Sequence, residues 1–206
     1  MKKFEIRSIR GKFSSEDNTR KVHGLAIPVE SMSELLYGEF YETVTRDAVN
    51  EDLIKNNDIK LYVNHDASQG TLARSKYGTG SLRLFITDAG LEFETELPET
   101  ERGNEILVGI KRGDYDAISF AFIAGKEHFD DKPNDDGTWN RYIDNIAWLD
   151  EISILSVGPA YEATNINLRS LEQAKSKYEA QRKAMIDKDL DVKLLELDEI
   201  ENSNNA

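Results

Sequence analysis

Ala117-Ile118-Ser119-Phe120-Ala121-Phe122 is the stretch on which the fold turns. Side chains alternate across a β-strand, so Ile118, Phe120 and Phe122 share one face while Ala117, Ser119 and Ala121 share the other. The first face is apolar enough to seat the strand in a core. The second offers one hydroxyl between two methyl groups, the clearance a nucleophilic serine needs if a carbonyl is to approach its oxygen. A strand serine bonded to backbone has the same pattern, so the segment alone leaves both roles open.

Two further segments carry groups that could act with that hydroxyl. In Leu61-Tyr62-Val63-Asn64-His65-Asp66, alternation puts Leu61, Val63 and His65 on one face, with the imidazole at the end of a buried strand. Histidine is the usual general base near neutral pH. A strand-end histidine bonded to a turn would look the same. In Trp148-Leu149-Asp150-Glu151-Ile152-Ser153-Ile154, two acids interrupt an apolar strand. A buried carboxylate is costly unless paired, so one of the two needs a partner. Glu151, placed by alternation with Leu149, Ser153 and Leu155, could accept from an imidazole N–H and fix its tautomer. The other possibility is one exposed and one salt-bridged acid.

Outward from these segments, residues 2 to about 169 read as short alternating strands broken by turns. Asp47 to Asn56 reads as a helix with Asp47 as cap, and Thr100 to Arg112 as a second helix carrying Ile106, Leu107 and Ile110 on one side. Asp88-Ala89-Gly90 joins two strands as a hairpin turn. Lys126 to Asn140 reads as a charged loop, and Arg141 to Val157 as a strand pair or one long bent strand. Short strands with few helices predict a mainly β protein: an antiparallel, closed or nearly closed barrel with helices outside it.

After Arg169 the composition changes. Leu171, Tyr178, Met185 and Val192 recur every seven residues, with Ala174 and Leu195 offset by three, which predicts a helical tail over 170–206 with its end disordered. Solvated tail and docking helix are both compatible with that stripe. The division is therefore a domain over 1–169 and an acidic tail over 170–206.

The 206 residues carry 26 Lys+Arg against 39 Asp+Glu, a formal charge of -13. That balance disfavours non-specific nucleic-acid binding, which draws on basic side chains. Cysteine is absent and there are three histidines, so a thiol nucleophile and a Cys-ligated zinc are excluded, and no cofactor is expected. No apolar run approaches the roughly 20 residues of a membrane span, and the charged start lacks a signal-peptide core. The loop from Asp130 to Gly137 fails the calcium-loop pattern, and Gly78-Thr79-Gly80 is a turn and not a nucleotide site.

Taken in order, the segments resemble the phage prohead protease family, itself similar to the herpesvirus assemblins. The matching pieces are Val22-His23-Gly24-Leu25-Ala26, Glu42 to Ala48, Asn64-His65-Asp66, Leu72-Ala73-Arg74, Gly90-Leu91-Glu92-Phe93, Leu97 to Thr100, Ile118 to Phe122, Glu151 to Ala160 and Ala163-Thr164-Asn165. They span about residues 3 to 170. The chain departs from the pattern at Asp47-Ala48-Val49, where the family has Gly and Phe, and at Ala121, where it has Gly. The resemblance implies an assemblin-like barrel and a serine endopeptidase with Ser119 as nucleophile, His65 as base and Glu151 as third member. Asp150 and His128 are the alternatives, the latter because assemblins use a second histidine. It also implies that the enzyme processes the major capsid protein, scaffold or portal proteins and itself, inside the immature prohead in the host cytoplasm. No direct contact with nucleic acid or membrane is implied, and a homodimer is possible. The rival reading is a catalytically inert, scaffold-like assembly protein.

Overall fold

The computed structural model describes residues 4–10, 13–15, 19–156 and 171–184. Their strands, in chain order, are β1 (Glu5–Arg10), β2 (Phe13–Ser15), β3 (Lys21–Pro28), β4 (Phe40–Val44), β5 (Asp58–Val63), β6 (Ala73–Lys76), β7 (Thr79–Gly80), β8 (Leu82–Thr87), β9 (Gly90–Glu96), β10 (Ala117–Phe129) and β11 (Trp139–Leu155). Two helices, α1 (Glu51–Lys55) and α2 (Glu101–Arg112), lie among them.

The strands form two sheets. One runs β1-β10-β11-β5-β6-β7, with β4 also on β11; the other runs β2-β3-β9-β8. The protein is mainly β, as expected, but among the described residues neither sheet closes on itself and no ladder joins them. The expectation of an antiparallel, closed or nearly closed barrel is therefore corrected: these strands form two open sheets, and β4 and β5 pair parallel to β11. The sheets meet through side chains instead: β10 lies against β3, and β6 against β8. Ile118, Phe120 and Phe122 of β10, Ile152 and Ile154 of β11, Ile59 and Leu61 of β5, and Ile27, Leu91 and Phe93 of the second sheet share one core. Ile106 and Ile110 of α2 complete it.

The two longest strands set the frame. β10 and β11 pair antiparallel over nearly their whole lengths, so the expected loop from Lys126 is strand as far as Phe129. Arg141 to Leu155 belongs to one 17-residue strand and not to a pair. β11 then takes two parallel partners on its far side. Trp139 to Ile143 pair with β4, and Glu151 to Ile154 pair with β5.

The helices follow local chemistry. Thr100 caps α2 by accepting from the Gly103 N–H, and Gly113 ends it in the left-handed conformation. Gly109 lets α2 approach Tyr115, whose ring would lie 2.4 Å from an added Cβ. The expected helix from Asp47 starts later. Residues 46–48 make one 3-10 turn, and Asn50, not Asp47, caps α1 by accepting from Leu53 N at 3.0 Å.

A buried ionic cluster, with no counterpart in the sequence reading, fastens β1. Arg7 reaches Glu42 at 2.6 and 2.8 Å and Glu5 at 2.8 Å; Arg141 reaches Glu5 and Glu42, each at 2.6 Å. Glu127 also bonds Arg141, at 2.8 Å. The cluster ties β1, β4, β10 and β11 together. Burial by itself raises the Glu5 carboxyl, but the hydrogen bond and charge of Arg141, with the charge of Arg7, outweigh it and hold the group below its ordinary value. Burial likewise opposes the charge on Arg7, yet Glu42 and Glu5 prevail and its pKa rises.

Residues 171–184 are helical. Leu171 is buried against Phe40 and Trp139, with Ala174 and Tyr178 packed beside it. The apolar stripe therefore docks over its first two turns. Its continuation through Met185, Val192 and Leu195 lies outside the described residues.

Two outcomes follow for stability. Arg141→Met leaves two buried carboxylates, Glu5 and Glu42, sharing one remaining guanidinium and should cost about 3–5 kcal/mol in urea denaturation. Because the folded Glu5 pKa is lowered, its contribution is fully present above the unfolded value of roughly 4.3 and is lost as pH falls through the folded value. Denaturation midpoints should thus drop below about pH 4, and Glu5→Gln should weaken that acid dependence.

Candidate active site

Ser119 sits in the middle of the β1-β10-β11-β5 sheet. Its partners across the strands are Ser8 of β1 and Ser153 of β11, and Ser153 is in turn opposite Tyr62 of β5. Directly opposed residues point to the same face, so three serine hydroxyls stand in a row on the side away from the core. The next row holds Ile6, Ala121 and Glu151. The strand alternation expected for Ser119 is found, with Ile118, Phe120 and Phe122 in the core.

Glu151 reaches this face by a device that alternation cannot show. Along β10, Ala121 pairs with Glu151 and the next residue, Phe122, pairs with Leu149. One residue on β10 thus opposes two on β11, and Asp150 is the extra one: a β-bulge. Leu149 therefore turns into the core with Phe122 while Glu151 joins Ser119 and Ser153. Glu151 and Leu149 do not share a face, contrary to the simple count. Asparagine 57 steadies the bulge, its side-chain oxygen accepting from Leu149 N at 3.2 Å.

His65 needs a second correction. It does not share the face of Leu61 and Val63. Asn64 and His65 follow β5 with φ of 51° and 59°, both left-handed. Asparagine tolerates that region because its short side chain bonds locally. Here Asn64 donates to Ser156 Oγ at 2.9 Å and accepts from Ser156 N at 3.0 Å. The two left-handed steps swing the imidazole to the opposite face, where its Nδ1 meets Glu151 Oε1. The backbone N–H of His65 donates to Ser153 Oγ at 3.2 Å, and Ser153 Oγ donates to Glu151 Oε2 at 2.6 Å.

Burial is graded across the group. Ser119 and Ser153 are closed to solvent, both at 0%, whereas 27% of the His65 side chain is exposed. Ser119 Oγ donates to the Arg7 carbonyl at 2.9 Å and accepts from Ser8 Oγ at 3.0 Å. Those are its hydrogen bonds among the described residues, and His65 is not one of its partners.

The remaining candidates lie elsewhere. Asp150 binds Lys60 at 2.9 Å. His128 binds Asp144 at 2.7 Å and stacks on Tyr142, nine residues further along β10 than Ser119. Neither touches His65. Asp66 turns away and caps the following turn, accepting from Ser68 N at 3.0 Å. The sequence reading left Ser153 unassigned, although a serine two residues after Glu151 on the same strand shares its face.

A hydroxyl, an imidazole and a carboxylate gathered on one face of a mainly β protein are the groups that hydrolases of the serine type employ. The chain belongs to the Caudovirus prohead serine protease family, whose family model matches residues 2–177. It is accordingly a serine protease of the phage prohead. No curated protein matches its sequence. Among solved structures, it is similar to the capsid assembly protease gp21 of bacteriophage T4, with a TM-score of 0.44 and 9% identity over 76% of this chain and 99% of that one. No helix among the described residues is long and apolar enough to cross a membrane.

The left-handed turn is open to direct test. Asn64→Val puts a β-branched residue where φ is positive and deletes the side-chain bonds to Ser156, so it should destabilise by about 2–3 kcal/mol. Asn64→Gly keeps the conformation and should cost about half as much. Denaturation midpoints of the two variants measure the difference.

Proposed function

We propose that Ser119 is the nucleophile, His65 the general base and Glu151 the group that orients it. The observation that carries this is the His65 Nδ1–Glu151 contact on the face that bears Ser119. A carboxylate accepting from Nδ1–H leaves Nε2 free to take a proton. In the proposed reaction the Ser119 Oγ–H proton passes to His65 Nε2 as Oγ bonds the scissile carbonyl carbon. His65 then gives the proton to the departing amine. Water, deprotonated by the same nitrogen, splits the acyl-enzyme and restores the hydroxyl.

Before that step, the hydroxyl must turn from the Arg7 carbonyl toward the imidazole, and substrate must gain access to a residue closed to solvent. The structure is thus assigned to a resting state. An enzyme carried into a shell before its substrates are in place benefits from such latency. The substrates proposed are the capsid and scaffold proteins, the portal protein and the chain itself, all inside the immature prohead. No contact with nucleic acid is proposed, in keeping with the -13 charge. A homodimer would be the active form if latency is relieved by association.

In the proposed division, residues 1–169 form the protease domain and 170–206 a tail that recruits it into the prohead. Truncation after 184 keeps the buried Leu171 in place and should preserve proteolysis while reducing packaging, as read by quantifying the protease in purified proheads.

Ser119→Ala, expressed with the capsid and scaffold proteins, should leave both at full length on gels. Glu151→Gln should slow processing by about 10²–10⁴. Complete processing in Ser119→Ala would contradict Ser119 as the nucleophile.

A further inference from the structure

Ser153 is fully buried, and its one hydroxyl serves two masters. It donates to Glu151 Oε2 at 2.6 Å and accepts from the backbone N–H of His65 at 3.2 Å. Its donor is used on the acid and an acceptor lone pair on the histidine's own main chain. Glu151 spends its other oxygen on His65 Nδ1. The three residues therefore close a small ring: hydroxyl to carboxylate, carboxylate to imidazole, and imidazole back through its main chain to the hydroxyl.

Such a ring fixes what a single contact cannot. The Nδ1 bond alone lets the imidazole swing about the carboxylate. Holding the His65 backbone and the far oxygen of Glu151 from the same atom removes that freedom. The ring also anchors the left-handed turn to β11 from the site side, while Asn64 anchors it to Ser156 from the other. Ser153 lies directly opposite Ser119 in the β10–β11 register, so the atom that holds the imidazole is one strand from the hydroxyl it is to serve.

We infer that Ser153 is a positioning residue of this protease: its hydroxyl sets the orientation of His65 and the tautomer-fixing carboxylate together, and touches no substrate. This rests on the proposed roles of Ser119, His65 and Glu151. Outer groups that hold a reacting group within a fraction of an ångström carry large rate effects, with a misplacement of about 1 Å costing about a hundredfold.

Two readouts on the full chain test it. The first is the rate at which a fluorophosphonate labels Ser119, followed by peptide mass spectrometry. The second is the downfield proton resonance of the His65 Nδ1–H bonded to Glu151, which needs no substrate. Ser153→Ala should slow labelling by about tenfold to a hundredfold and shift or broaden the downfield proton. Ser153→Thr, which keeps the hydroxyl, should return both toward wild type. Should Ser153→Ala not fold, Ser153→Cys fills the space with a weak donor and should show the same two losses. A wild-type labelling rate with an unmoved proton signal in the folded Ala or Cys variant overturns the inference, as does failure of Thr to restore them. If wild-type Ser119 takes no label even inside assembled proheads, where the latency is relieved, the proposed nucleophile fails, and the proton resonance of the free chain still decides whether Ser153 holds the imidazole.

Discussion

The register of β10 against β11 is the constraint on which the rest of the molecule depends. It sets Ser119 opposite Ser153 and, through the bulge at Asp150, turns Glu151 to the same side while Leu149 enters the core. Slipping the pair by one residue would reverse every side chain, sending Ser119 into the apolar layer and Phe120 out of it. The register is held by that apolar layer: Ile118, Phe120 and Phe122 on one strand, Leu149, Ile152 and Ile154 on the other. The same burial that drives folding therefore fixes which residues share the opposite face.

The edge of the sheet is secured differently. Among the described residues β1 pairs only with β10, and its outward residue Ile6, like Phe4 just before the strand, remains substantially exposed. Beside Ile9, its inward residues include Glu5 and Arg7, which an edge strand could bury only with full pairing. Arg7 has a double position. Its guanidinium belongs to the ionic cluster beneath the sheet and lies 5.7 Å from the Phe122 ring centroid, while its carbonyl accepts from Ser119. The cluster thus fixes the strand whose carbonyl holds the Ser119 hydroxyl.

How far the sequence led can be told from particular residues. The face of Ser119 was legible because β10 is regular up to Ala121 and its alternation is strongly apolar. Glu151 and His65 were legible as residue types but not in direction. Each follows an irregularity, a one-residue bulge before Glu151 and two left-handed residues at Asn64 and His65, and alternation counts straight through both. The pairing of distant segments was supplied by family resemblance, since spacing alone brings neither His65 nor Glu151 to β10. The ionic cluster has no signal in the sequence, because Glu5 and Arg7 alternate with Phe4 and Ile6 and that pattern by itself sends the apolar pair inward. The closed barrel was expected from the number of short strands. Two of the strands are long, and β11 shares its far edge between β4 and β5, so the strands close a core between two sheets and not a ring.

The most direct measurement is a crystal structure of the chain after reaction with a fluorophosphonate. The account predicts phosphorus on Ser119 Oγ, the oxygen turned away from the Arg7 carbonyl, and His65 Nε2 within about 3 Å of it with Nδ1 still on Glu151. Phosphorus on Ser153 or another residue, or a labelled Ser119 with His65 facing away across the sheet, would contradict it.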